Sequence, residues 1–133
     1  EYNGFFIMIS WEQLKPFHRK LVSIKLGRKA EVESNYNAFK GLIKDIRTFL
    51  FAKLLKYECP VILPNNFPYD LDDNIEHYCL WWISDPPQTF YCPEIEKFIS
   101  EYFHGQEVIY FENNPEARSI QEIKHLHIFR LHK

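Results

Sequence analysis

The chain has 133 residues, 46% of them apolar and 26% charged, which is the composition of one ordinary globular domain and excludes a disordered, fibrous or two-core protein. Lys and Arg number 16 against 18 Asp and Glu, a net charge of −2. With a pI of about 6.3, the broadly basic surface that grips nucleic-acid phosphates is excluded, and no nucleic-acid partner is expected. Twelve Phe, eight Tyr and three Trp predict a bulky core, and the four glycines form no phosphate-cradling loop of the GxGxxG or Walker type.

Cys59, Cys79 and Cys92 are an odd set without CxxC spacing, which encodes neither a disulfide framework nor a cysteine zinc knuckle and fits a reducing, cytoplasmic home. No apolar run approaches the roughly 20 residues that span a bilayer, so no membrane association is expected. Residues 5–9 are too short an apolar stretch for a secretory signal. The expected domain covers residues 8–133, with residues 1–7 an extension ahead of it.

Ser10 followed by Gln13 is a capping-box pattern and predicts a helix start, while Pro16 predicts an interruption one turn later and Gly27 the end of the segment. Over residues 31–57, Val32, Tyr36, Phe39, Ile43, Ile46, Leu50 and Leu54 recur at three-and-four spacing, which predicts one long amphipathic helix. Lys40, Lys44, Asp45, Arg47 and Lys53 fall on its opposite face as a solvated surface. Cys59-Pro60 stops it, and residues 64–70 form an ordered, proline-restricted turn.

Residues 75–83 read as a central strand with His77, Cys79 and Trp81 on one side and Glu76, Tyr78, Leu80 and Trp82 on the other. Residues 93–102 form a helix with Pro93 first and Glu94 and Glu96 in the first turn, closed by Gly105. Short strands follow at residues 108–111 and 123–131, the latter with His125, His127 and Phe129 on one face, separated by a turn at Asn113-Asn114-Pro115. The expected fold is α+β, with N-terminal helices, including the long amphipathic one, packed on a small, mainly antiparallel sheet.

Two imidazoles two residues apart on a strand point the same way and suit a shared ligand. His77 is the natural third member, with Asp70, Asp72, Asp73 and Glu76 as carboxylates that would complete a metal set. The same histidines equally suit half-buried positions bonded to backbone or tyrosine. Cys79, in an apolar strand, reads as an inert core thiol, and Arg118 is well placed to meet an anion. The segment from Ser119 to His127 resembles the closing strand of the histidine-triad nucleotide hydrolases. That resemblance would make His127 a nucleophile and Ser119 a phosphate contact, although Phe129 stands where a third histidine belongs.

Taken in order, Trp11-Glu12, Leu26-Gly27-Arg28, the helix from Val32, residues 62–69, residues 75–81, Phe111-Glu112-Asn113, and Ser119-Ile120 with residues 125–128 form a connected pattern. Over residues 10–130 it resembles the fungal N-acetylglucosamine-induced protein family, an intracellular domain family of unknown function. Asn66 and Lys124 replace acids usual in that family, and Asp70 replaces a glycine. The resemblance implies an induced response to an amino sugar and cytosolic residence, and carries over no reaction.

The chain's own candidates for one pocket are His77, His125 and His127 as acid/base groups, with Asn65, Tyr69, Trp81, Asn113, Arg118 and Ser119 as ligand contacts. The expected ligand is a sugar, phosphosugar or nucleotide-type molecule. Two other classes fit the same residues: a non-catalytic interaction or regulatory module with structural histidines, and a metal-dependent hydrolase. The residues identify no cofactor and no oligomeric state.

Overall fold

A computed structural model describes residues 8–23, 26–42, 45–55, 57, 60–82, 87–113 and 125–132. Ser10 caps α1 (Trp11–Leu14) through the reciprocal bonds the capping box requires: Gln13 N–H donates to Ser10 Oγ at 3.2 Å, and Ser10 N–H to Gln13 Oε1 at 2.9 Å. Pro16 then turns the chain into a short 3₁₀ segment, Lys15–Phe17, since a proline past the first turn removes a helical hydrogen bond. No helix among the described residues is long and apolar enough to cross a membrane.

The single long helix expected over residues 31–57 is instead two helices, α2 (Ala30–Leu42) and α3 (Ile46–Leu54). The physical reason is Asp45, whose carboxylate accepts from Thr48 N–H (3.1 Å) and Thr48 Oγ (2.7 Å), an N-cap that starts α3 afresh. Ile43 and Lys44, counted in the expected helix, lie outside the described residues.

Five strands form one mixed sheet in the order β1-β4-β5-β3-β2, with β1 spanning Leu21–Val22, β2 Val61–Pro64, β3 Ile75–Trp81, β4 Val108–Asn113 and β5 His125–Leu131. β2, β3, β5 and β4 pair antiparallel, whereas β1 joins β4 in parallel through Leu21↔Glu112 and Val22↔Asn113. Among the described residues the sheet is therefore mixed, with three antiparallel pairings and one short parallel edge that the sequence did not announce. Two residues are too few to show a period, so β1 carries no local signal.

Each face of the sheet has its own core. α4 (Pro93–Tyr102) lies against one, burying Ile95, Ile99 and Phe103 with Leu80, Leu126 and Ile128. Gly105, at φ +74°, ends this unit in the left-handed conformation that glycine adopts without strain. The other face buries Ile75, Ile109, Phe111 and Phe129 with Trp11, Leu14 and Tyr69 from outside the sheet. A parallel bridge between Ile9 and Leu71, with the Asp70 N–H donating to the Gly27 carbonyl at 2.8 Å, ties the N-terminal segment to the turn before β3.

Candidate functional site

The strand register decides what meets. β3 and β5 pair so that Cys79 lies opposite His127 and Trp81 opposite His125, while His77 faces Phe129. All six side chains therefore point to the side of the sheet away from α4, as the period-2 reading anticipates. The turn between β2 and β3 folds over them. The Asn65 carboxamide oxygen accepts from Phe67 N–H at 2.8 Å, and Arg28 Nε donates to the Phe67 carbonyl at 2.7 Å, which brings Asn65 and Tyr69 onto the histidines.

The result is a continuous buried polar chain. Tyr69 backbone N–H donates to His77 Nδ1 at 3.3 Å, and because an amide proton cannot move, the His77 ring proton belongs on Nε2. From there it meets His127 Nδ1 at 2.9 Å. The His127 proton is then on Nε2, 3.3 Å from the Tyr69 hydroxyl, which also accepts from Asn113 Nδ2 at 3.0 Å. One backbone N–H thus sets the tautomer of two rings.

Both rings are uncharged at neutral pH. Loss of solvent holds His77 well below the ordinary histidine pKa, with the Arg28 and His125 charges acting in the same sense. His127 is lowered by the same burial, then by His77, His125 and Arg28. Cys79 Sγ lies 3.6 Å from His127 Nδ1 and accepts from Asn65 Nδ2 at 3.4 Å. The Nδ1 lone pair is already engaged by His77, so no base is available to the thiol, and burial pushes it up to about 12.

Beside this chain lies a cavity of about 340 Å³, floored by Cys79 and His127 and walled by Trp81 and His125. The Trp81 and His125 rings stack 4.5 Å apart at 25°. Tyr36, Phe39, Phe49 and Phe67 close the opposite side, and Arg28 and Lys53 bring two cations to it. The Arg28 side chain is only 6% exposed and sits 4.2 Å over the Tyr36 ring, with Glu33 as its ion-pair partner at 3.3 Å.

Of the expected site residues, the structure brings together His77, His125, His127, Asn65, Tyr69, Trp81 and Asn113, while Arg118 and Ser119 lie outside the described residues. Glu76, a suggested metal carboxylate, points to the other side of β3 and is tied to Arg130 and to the Tyr78 hydroxyl. Among the described residues the metal-type cluster is His77, Cys79 and His127, with no carboxylate in it. Phe129, in the place of a third triad histidine, stacks on His77 at 4.5 Å. Both His127 nitrogens face protein groups, which leaves no lone pair aimed at phosphorus.

Arg28 and Lys53 are the residues that sequence reasoning missed. Lys53 is one turn along a helix from Phe49 and Leu50 and looks like any solvated lysine until α3 is docked. Arg28 follows Leu26-Gly27 in a segment without regular periodicity, so only its place in the family pattern marked it.

Residues 10–130 match the family described as "Protein of unknown function (DUF3605)". No curated protein matches the chain. Among solved structures, the crystal structure of HTC1 is similar, with a TM-score of 0.64 over 94% of this chain and 86% of that one at 16% identity, a likeness of fold alone.

Proposed function

The chain belongs to the DUF3605 family of proteins of unknown function, and from the chemistry of its cavity we propose that it binds a small sugar, phosphosugar or nucleotide-type molecule inside the cell. The observation that carries this reading is the Trp81–His125 wall facing a cavity with two cations, Arg28 and Lys53. A stacked indole offers an apolar face to a sugar ring or base, and a guanidinium with an ammonium suits an anionic substituent. The resemblance to the N-acetylglucosamine-induced family makes amino sugars and their phosphates the first compounds to try. His125, on the cavity wall, is the histidine placed to exchange a proton with a bound molecule. His77 and His127 are positioning residues, since their nitrogens are committed to the Tyr69 backbone, the Tyr69 hydroxyl and each other.

That commitment is also what favours the rival reading, a non-catalytic interaction module with structural histidines. The two separate in a thermal-shift screen of hexosamines, hexose phosphates and nucleoside monophosphates against the wild type, Trp81→Ala and Lys53→Ala. A ligand at one hundred times its Kd stabilises the native state by about 2.7 kcal/mol. The expected result is a rise in midpoint for one class, reduced in Trp81→Ala, and reduced in Lys53→Ala for phosphorylated members only. No rise with any compound, or a rise indifferent to both substitutions, favours the interaction module.

A further inference from the structure

Three donors of the kind that transition metals favour meet beside the cavity, two of them, Cys79 and His127, on its lining. β3 sets His77 and Cys79 two residues apart on one face, and β5 places His127 directly opposite Cys79. A nitrogen from each histidine and the Cys79 sulfur consequently lie within 4.8 Å of one another, and all three residues are buried. We propose that His77 Nε2, Cys79 Sγ and His127 Nδ1 bind a tetrahedral, thiophilic divalent ion of the zinc class, with the fourth position open to the cavity.

The spacing fits such an ion. Bonds of about 2.3 Å to sulfur and 2.0–2.1 Å to nitrogen put sulfur and nitrogen about 3.6 Å apart, and two nitrogens about 3.3 Å apart, around a tetrahedral centre. Cys79 Sγ and His127 Nδ1 are 3.6 Å apart. His77 Nε2 and His127 Nδ1 are 2.9 Å apart, the length of the hydrogen bond whose proton the ion replaces, so this edge opens by about 0.4 Å on binding.

The surroundings serve two of the three ligands. Asn65 Nδ2, 3.4 Å from Cys79 Sγ, donates to a thiolate as readily as to a thiol. The Tyr69 hydroxyl oxygen, 3.3 Å from His127 Nε2, accepts the ring proton that a metal-bound imidazole must direct outward. His77 is the ligand that must adjust. Its proton moves from Nε2 to Nδ1, and the 3.3 Å bond from Tyr69 N–H is given up. Binding expels the Cys79 proton to solvent.

Cys79 and His127 both line the cavity, and three protein ligands with an open fourth position is the arrangement in which a zinc-type ion meets a substrate. Two neutral imidazoles and one thiolate leave the site with one net positive charge, the same sign as Arg28 and Lys53. The inference rests on the small-molecule reading for what occupies the fourth position, and on the donor geometry alone for the ion.

The test uses a Cys59→Ser/Cys92→Ser variant, in which Cys79 is the remaining thiol, titrated with cobalt(II) alone. The expected result is one equivalent bound with a thiolate-to-cobalt charge-transfer band, displaced by zinc, abolished by adding Cys79→Ser, and shifted to at least tenfold weaker binding by adding His127→Ala. In the wild type, zinc slows alkylation of Cys79. A folded Cys59→Ser/Cys92→Ser protein without the band overturns the site. If a Cys79 or His127 variant fails to fold, the alkylation rate decides, and a rate indifferent to zinc overturns it as well. Lys53→Ala keeps the two readings apart: it retains the cobalt band while losing affinity for phosphorylated ligands. Ligand binding without the band refutes the metal site alone, and the band without ligand binding refutes the small-molecule reading alone.

Discussion

The two faces of the sheet are made from the same strands and the same alternation, yet they are built for different ends. On the α4 face, Leu80, Leu126, Ile128, Ile95, Ile99 and Phe103 are all buried and apolar. On the opposite face the apolar group of Ile75, Phe129 and, from β4, Ile109 and Phe111 gives way along β3 and β5 to His77, Cys79, His127, His125 and Trp81. α2 and α3 bring Tyr36, Leu50 and Leu54 to that side as buried apolar residues and leave a cavity there. A face that needs only stability is filled with hydrocarbon, whereas buried polar groups must each be matched with a partner. A cluster of matched imidazoles beside a cavity sets the second face apart as the one that carries the candidate site.

The contrast breaks most sharply at Phe103, which is 1% exposed against the α4 face. Phe103→Ala is expected to cost about 3–5 kcal/mol in urea unfolding and to leave ligand affinity in the surviving native protein unchanged. A change in affinity would mean the faces are not independent.

The second effect belongs to the histidine face and appears with pH. Burial lowers the folded-state pKa of His77 and His127 below the ordinary 6.5. The unfolded chain therefore takes up protons that the native state refuses, and stability is complete above about pH 6.5 and declines as pH falls below it. Between pH 6 and 5 each ring that stays neutral in the native state steepens the decline by at most about 1.4 kcal/mol per pH unit. Urea midpoints measured across that range should show it, and His127→Gln should about halve the slope; a flat profile would mean the rings are solvated.

His127→Ala at pH 7 comes next, leaving the His77 Nε2–H without its acceptor and the Tyr69 hydroxyl without one of its donors. A loss of about 1–3 kcal/mol is expected, smaller than at Phe103 because the site already borders a cavity. Asp45→Ala removes the α3 cap and should lower stability by about 1 kcal/mol, with lower ligand affinity because α3 carries Phe49, Leu50 and Lys53 to the cavity. Lys53→Ala, at an exposed position, should change stability by less than about 0.5 kcal/mol.

Much of this was legible in the chain. The Ser10–Gln13 capping box, α4 with Pro93 first, Gly105 after it, and β3 as a strand apolar on both faces are local patterns whose causes lie within a few residues. Period 2 placed His77, Cys79 and Trp81 together, and His125 with His127, before any pairing was known. The break between α2 and α3 was hidden because the apolar spacing runs through it, while Asp45 and Thr48 can equally sit on a helix surface. Arg28 and Lys53 were hidden because a cation's role depends on what docks against it.

By itself, then, the sequence determined which residues of β3 and of β5 share a face and where α1, β3, α4 and β4 begin, since caps, prolines and side-chain alternation act through neighbouring dihedral angles and hydrogen bonds. Only the tertiary structure decided that β5 lies beside β3 in the register that sets Cys79 against His127. The same is true of β1 running parallel to β4, and of the Tyr69 backbone reaching His77 and fixing the proton on two rings. Such contacts span up to about ninety residues, between His18 and Tyr110 for example, and arise only when burial of both sheet faces selects one arrangement among the many that the local patterns allow.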